Sequence, residues 1–235
     1  MSNGLTNGER LAYLAAMGID VFAMRARPAG EGQAVAATAD AGPAVTEVAL
    51  LDWSGLERRV ASCTRCELHR TRTQTVFGIG NRQAEWMVIG EAPGAEEDRR
   101  GEPFVGRAGR LLDEMLRAVG LSRDTVFITN ILKCRPPGNR DPAQGEAAAC
   151  RRYLERQIEL LSPRLILAVG RIAAQQLLGT EAPVGRLRGR LHRLTQAEIP
   201  VIVTYHPAYL LRSPTQKRKA WEDLCLARRA ATRVA

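Results

Sequence analysis

The sequence lacks long apolar runs, internal repeats and a charged start followed by an apolar block. A helix that crosses a bilayer needs roughly 20 apolar residues, and no hydrophobic stretch approaches that length. We therefore expect no membrane association, and the missing leader pattern favours a cytoplasmic protein. Hydrophobic residues still make up 45% of the 235 residues, which is enough to build a core.

Basic residues outnumber acidic ones, with a net charge of +9, and the excess is uneven. Residues 1–50 carry three arginines against five acidic residues, whereas the remainder carries a net charge of +11. A basic domain indicates a polyanionic partner, most often nucleic acid. Because residues 28–44 are rich in Ala, Gly and Pro, we divide the chain into an N-terminal extension, 1–50, with a short helix and flexible linker, and a main domain, 51–235.

The main domain alternates short apolar segments with amphipathic ones. Strands are predicted at 75–79, 87–89, 126–129, 165–169 and 201–204, the first as an edge strand. Helices are predicted at 51–60, 108–119, 172–178 and 215–229, with a further one capped by Asp141-Pro142. Apolar strands alternating with helices are typical of an α/β fold whose parallel sheet is covered on both faces.

Unusual residues follow the strands of this predicted sheet. They are Gly90-Glu91 after the first parallel strand, then Asn130, Gly170 and Tyr205-His206. Because the carboxyl ends of parallel strands lie along one sheet edge, we expect these residues to converge on one cleft.

The five cysteines indicate a metal centre rather than disulfides in a cytoplasmic chain. Cys63 and Cys66 form a C-x2-C pair, and Cys134 and Cys150 could complete a set of four thiolates. Zinc and an iron–sulfur cluster both accept four thiolates, and the spacing does not separate them. Cys225 stands between two leucines on the last predicted helix and is expected in the core.

Four blocks of the sequence carry a family resemblance. They are Gly90–Asp98 with Gly101–Gly106, Thr129–Arg140, the Cys63/Cys66 pair with Cys150, and His206–Leu211. In order, spacing and content they resemble the family 4 uracil-DNA glycosylases, the iron–sulfur members of the uracil-DNA glycosylase superfamily, over about residues 56–228. The resemblance implies a three-layer α/β/α sandwich around a four-stranded parallel sheet, with a [4Fe–4S] cluster on Cys63, Cys66, Cys134 and Cys150 beside it.

The resemblance also implies a reaction, hydrolysis of the N-glycosidic bond of deoxyuridine in DNA to leave an abasic site. A base inside a duplex must be flipped out before it is reached. Phe104 would stack on the flipped ring, Asn130 would read its edge, and His206 would stabilise the departing anion by a hydrogen bond to O2. Glu91 and Ala92 are expected to line the pocket, and Glu97 to position the water or the base.

The resemblance further predicts a DNA-contacting surface. The segment Tyr209-Leu210-Leu211-Arg212 would enter the minor groove, with Leu210 or Leu211 as an apolar wedge. Arg188 and Arg190 belong to a basic cluster that could contact phosphates. The segment from Asn130 to Pro142 contains no histidine, so we expect turnover rather than covalent trapping of the sugar.

Other hypotheses remain. The chain could be a non-catalytic iron–sulfur module that binds DNA and recruits repair or replication proteins, or a zinc-stabilised nucleic-acid-binding domain. Under the enzymatic hypothesis we expect a monomer acting on single- or double-stranded DNA that contains uracil, with residues 1–50 docking a repair or replication protein.

Overall fold

The computed structural model describes residues 47–194 and 197–232. The predicted N-terminal helix and the linker at 28–44 lie outside the described residues. None of the helices in the described ranges is long and apolar enough to span a bilayer.

Helices and short strands alternate along the described chain. In chain order they are α1 (Trp53–Ala61), β1 (Ile79–Gly80), β2 (Trp86–Gly90), α2 (Ala95–Arg100), α3 (Arg107–Ala118), β3 (Phe127–Asn130), α4 (Gln144–Leu161) and β4 (Leu165–Val169). They continue with α5 (Arg171–Leu178), α6 (Val184–Leu187), β5 (Leu191–Leu194), β6 (Ile199–Thr204), α7 (Pro207–Arg212) and α8 (Lys217–Thr232). Short 3-10 turns lie at Glu67–Arg70, Pro137–Asn139 and Pro214–Gln216.

Within the described residues the strands form one six-stranded sheet in the order β1-β3-β2-β4-β6-β5. The inner neighbours β3, β2, β4 and β6 pair in parallel. The outer strands β1 and β5 pair antiparallel with β3 and β6. The parallel strands are buried throughout, apart from the partly buried Ile199 at the start of β6, because both of their faces are covered by helices.

Alternate residues of each strand enter different cores. Met87 and Ile89 belong to a core with α1, α4, α5 and α6, whereas Trp86 and Val88 belong to a core with α3, α7 and α8. This is the two-residue period of a strand buried on both sides. The predicted α/β class is therefore confirmed.

Two details of the prediction were wrong. The sheet has six strands, whereas the sequence predicted a four-stranded parallel sheet and one edge strand; β5 was missed because its sequence, Leu191-His192-Arg193-Leu194, has no apolar run and only half-buries its side chains. Helix α4 begins at Gln144 rather than at Asp141-Pro142, because the Glu146 carboxylate accepts a hydrogen bond from the Ala143 amide (2.8 Å) and closes the helix start there.

Candidate active site and cysteine pocket

A cleft of about 800 Å³ opens at the carboxyl edge of the parallel strands. Glu91, Asn130, Gly170 and His206 line it, one from the end of each parallel strand. The predicted convergence is therefore confirmed. The same cleft is lined by most of the other residues that the sequence analysis singled out, namely Ala92, Glu97, Phe104, Tyr209 and Arg212.

Asn130 presents an unsatisfied amide to this cleft. The residue is only 2% exposed, and its Oδ1 atom is buried without a hydrogen-bond partner among the described residues. A buried acceptor left unpaired costs about 1–3 kcal/mol. An acceptor that is kept at such a cost and faces a cleft is suited to pair with a donor on a bound molecule.

Gly90 brings the backbone of β2 against Asn130. A Cβ atom added at Gly90 would lie 2.4 Å from Asn130 Oδ1 and 2.5 Å from the ring of Phe104. Both distances are far below van der Waals contact, so this position accepts only glycine while the two side chains keep their places. The glycine of the first turn thus shapes the floor of the cleft.

Phe104 lies in the left-handed backbone region, with φ of 55°. A bulky residue in that region costs roughly 1–3 kcal/mol and persists where neighbours enforce it. Arg123 donates to the carbonyl oxygens of Pro103 and Phe104, and Asp113 pairs with Arg123 at 2.7 Å. Because these contacts hold the strained backbone in place, the ring of Phe104 is fixed where it lines the cleft.

His206 is fixed by its own helix cap. As the N-cap residue of α7, it accepts a hydrogen bond at Nδ1 from the Ala208 amide (3.1 Å). Burial and the nearby Arg212 lower the pKa of His206 to about 4, against a smaller opposing effect of Glu97. The ring is therefore neutral at physiological pH and carries its proton on Nε2. It stacks on Phe104, with ring centroids 5.6 Å apart.

The carboxylate of Glu97 is occupied by backbone amides. Its Oε1 accepts from Val105 (3.0 Å) and Gly106 (3.2 Å), and its Oε2 accepts from Gly94 (3.1 Å). These bonds join the turn after β2 to the start of α3 and use most of the acceptor capacity of a carboxylate. The contacts therefore give Glu97 a structural role, and its predicted role in water positioning gains no support from them.

Glu91 is the carboxyl group of the cleft with the perturbed acidity. Burial, strengthened by the negative charge of Asp141 and partly offset by Arg171, raises its pKa to about 7. Arg171 and Asp141 form an ion pair next to it. Perturbed carboxyl groups in clefts are enriched at functional sites.

The four predicted metal ligands line one small cavity between α1, α4 and the segment after β3. Cys63, Cys66, Cys134 and Cys150 share it with Arg65, Arg72, Lys133 and Tyr153. Arg72 Nη1 donates to Cys134 Sγ at 3.0 Å, and the Lys133 amide donates to Cys150 Sγ at 3.4 Å. Burial raises the pKa of the Cys66, Cys134 and Cys150 thiols, that of Cys150 to about 12.

In the part of the chain that the structure describes, no group of three or more His, Cys, Asp or Glu side chains is placed to hold a single metal ion. Four thiols around one cavity are nevertheless a donor set that both zinc and an iron–sulfur cluster accept, so the chemistry of the pocket fits either group.

Comparisons with known proteins identify the family of this chain. A model of the uracil DNA glycosylase superfamily matches residues 77–225. The chain belongs to this superfamily. It is 47% identical to a type-4 uracil-DNA glycosylase of Archaeoglobus fulgidus over 172 residues, which are 71% of this chain and 86% of that protein.

Two further relatives carry the same description. The chain is 42% identical to a type-4 uracil-DNA glycosylase of Pyrobaculum aerophilum over 182 residues, covering 75% of this chain and 93% of the relative. The type-4 protein of Sulfurisphaera tokodaii is 42% identical over 175 residues, covering 72% and 80%. The resemblance inferred from the sequence blocks is thereby confirmed.

Two of the DNA-contacting residues predicted from the superfamily resemblance are engaged inside the protein. Leu210 is 1% exposed and packs in the core beside α8, whereas Leu211 is 37% exposed. The prediction of Leu210 as the wedge is therefore wrong, and Leu211 is the remaining candidate for that role. Arg188 forms a bidentate pair with the fully buried Asp223 (2.8 and 3.0 Å), which makes it a structural residue rather than a free phosphate contact.

Tyr205, which was predicted to converge on the cleft, lines it as well. Asn139, Arg140 and Arg171 also line the cleft, although none of them was predicted individually. Two of them, Asn139 and Arg140, belong to the quoted block Thr129–Arg140, but their individual positions depend on the turn after β3. Arg190 is exposed and Arg212 lies at the cleft, and their predicted contacts with DNA stay a prediction.

Proposed function

We propose that this chain removes uracil from DNA by hydrolysing its N-glycosidic bond, the first step of base-excision repair. The observation that carries the proposal is the meeting of three side chains in one cleft. Phe104, Asn130 and His206 come from separate segments of the chain and line the same space. The type-4 relatives give the reaction class.

Base recognition follows from two of these groups. The flipped nucleotide enters the cleft at a cost of a few kcal/mol, and the ring of Phe104 covers its face. The unpaired Oδ1 of Asn130 accepts from the N3–H of uracil, while the amide nitrogen donates to O4. Cytosine presents an amine and a bare N3 at these positions, and it is rejected because both contacts are reversed.

Leaving-group stabilisation falls to His206. As the glycosidic bond breaks, negative charge develops on the uracil, and Nε2–H of a neutral, fixed imidazole donates to O2. A donor that is already oriented needs no reorganisation during the reaction, and such a donor is worth about 10²–10³ in rate. Glu91 is the better-placed acceptor for the attacking water, because the oxygens of Glu97 are bonded to backbone amides.

A [4Fe–4S] cluster on Cys63, Cys66, Cys134 and Cys150 is part of the proposal. The four thiols around one cavity support it, together with Arg72 and Lys133 as nearby positive charges. A bound cluster would serve as a structural cross-link between the C-x2-C turn, the segment after β3 and α4. The chain would act as a monomer on DNA, and residues 1–50 would dock a repair or replication protein; pull-downs with and without these residues test the docking.

The decisive experiment uses oligonucleotides with one uracil, single- and double-stranded, followed by alkaline cleavage of abasic sites. The wild-type chain should release uracil from both with multiple turnovers, so that alkali cleaves each strand at that position, and matched cytosine oligonucleotides should stay intact. His206→Ala and Asn130→Ala should lose most activity and keep a brown, iron-containing protein, whereas Cys134→Ala should lose iron. DNA binding without strand scission would instead support the non-catalytic module.

A further inference from the structure

Lys133 is a fully buried lysine between the cleft and the cysteine pocket. Its side chain is 0% exposed. Its Nζ donates to Thr129 Oγ1 (2.6 Å), to the backbone oxygen of Asn130 (2.8 Å) and to Gln157 Oε1 (2.7 Å). An ammonium group has three donors, and each of them has one acceptor here. The geometry is therefore that of a charged, fully hydrogen-bonded lysine.

The acceptors are themselves anchored. Thr129 Oγ1 and Gln157 Nε2 both donate to the Phe77 carbonyl, each at 2.9 Å. The Asn130 carbonyl accepts from this ammonium, and the next two amides, those of Ile131 and Leu132, donate to the carbonyls of Gly90 and Glu91. Lys133 thus bonds the backbone of the residue whose side chain faces the cleft.

Lys133 also reaches the cysteine pocket on its other side. It lines that pocket together with Cys134 and Cys150, and its backbone amide donates to Cys150 Sγ at 3.4 Å. The same residue therefore bonds the backbone of Asn130 through its ammonium and a predicted cluster ligand through its amide.

The choice of residue supports this role. The chain contains three lysines against 31 arginines, and Lys133 is the one buried in the core. A lysine is a compact charge with three convergent donors, whereas the planar fork of arginine suits carboxylates and phosphates. Three acceptors around one point therefore favour a lysine over an arginine.

We propose that Lys133 is a positioning residue that couples the cysteine pocket to base recognition: its ammonium holds the Asn130 backbone, and its backbone amide bonds Cys150 in the pocket. The inference rests on the proposed function for its catalytic half. A protein that loses the ammonium would keep its cleft but lose the placement of the reading amide.

The test is a double-mutant cycle in the full-length chain with a single-stranded uracil oligonucleotide under single-turnover conditions. Lys133→Met should slow excision about 10- to 100-fold, as is typical for residues that orient a functional group, while iron content is retained. In the Asn130→Ala background the same change should cost almost nothing further, because the group it positions is gone. Additive losses, or a wild-type rate for Lys133→Met, would overturn the proposal.

Two further measurements keep the test decisive. If Lys133→Met does not keep its iron, Gln157→Met removes one of the three acceptors and should show the same non-additivity at a smaller loss. The reduction potential of the cluster does not depend on activity, and it should fall when the positive charge that lines the cysteine pocket at Lys133 is removed; an unchanged potential contradicts the coupling to that pocket. A wild-type chain that releases no uracil would contradict the proposed function, whereas the reduction potential would still test the role of Lys133.

Discussion

The two walls of the cleft hold their key side chains in different ways. His206 is oriented by an amide two residues further along the chain, through the cap of α7. Asn130 is oriented by groups that are distant in sequence, including Gly90 and Gln157, which bonds Lys133. The placement of a side chain by a local cap is insensitive to many changes elsewhere, whereas a side chain held by distant contacts is displaced when any one of them is disturbed. Substitutions in the two walls should therefore have different effects.

The largest effect is expected at the distant wall. Gly90→Ala places a Cβ atom 2.4 Å from Asn130 Oδ1 and 2.5 Å from Phe104, which must displace both side chains. Because a misplacement of about 1 Å can cost 10²-fold in rate, we expect excision to fall by about 100-fold or more. Single-turnover assays measure this.

Gly145→Ala is the matched control for that change. A Cβ atom at Gly145 meets nothing within 4 Å, so activity and iron content should stay at wild-type levels. Wild-type activity in Gly90→Ala would mean that the placement of Asn130 and Phe104 does not limit the reaction.

Substitutions at His206 should separate its two functions, the cap of α7 and the Nε2–H donor. His206→Asn keeps an acceptor for the Ala208 amide but loses the Nε2–H donor, so we expect wild-type stability and a loss of about 10²–10³ in rate. His206→Gln keeps a donor further out but loses the cap, so it should unfold about 1 kcal/mol more easily and retain more activity. Urea unfolding and excision assays together measure both; the reverse order would refute the tautomer assignment.

Leu211 and Leu210 offer a smaller, paired test of DNA insertion. Leu211→Ala should lower excision several-fold from double-stranded DNA and little from single strands, with stability unchanged within about 0.5 kcal/mol. Leu210→Ala should instead destabilise the fold by about 2–5 kcal/mol, because it removes apolar atoms from the core and leaves a cavity. Equal losses on both substrates for Leu211→Ala would argue against a wedge.

The smallest effect is a pH-dependent change of stability at Glu91. Its pKa is raised from the ordinary 4.5 to about 7, so between these values the folded state binds more protons than the unfolded state, and stability falls as pH rises. Glu91→Gln removes this loss. The Tm of the variant should match the wild type near pH 4.5 and exceed it by a few degrees at pH 8; parallel Tm curves would contradict the raised pKa.

Much of the fold could be predicted because strands and helices leave local patterns. The buried strand 165–169 was placed to the residue, since a run of apolar residues ended by Gly170 leaves little choice. The edge strand β5 was missed because an exposed strand has no such run. Convergence at the carboxyl edge could also be predicted, because it follows from the parallel order of the strands.

The roles of individual side chains were harder to predict. The sequence favoured Glu97 over Glu91 for water positioning, but the segment that starts α3 folds back onto Glu97 and fills its oxygens. Leu210 and Leu211 are adjacent and chemically identical, and only the packing of α7 against the core distinguishes them. Arg188 looked like a free cation until Asp223 of α8 was seen to bind it.

The amino-acid sequence by itself determined the order of the parallel strands and the longer helices, the spacing of the cysteines and the set of polar residues at the strand ends, because these depend on local pattern and on parallel connection. Tertiary structure alone decided which carboxylate is engaged, which leucine is exposed and which acceptors hold the ammonium of Lys133. These properties are set by burial and by partners from distant segments, and no local pattern in the chain encodes them.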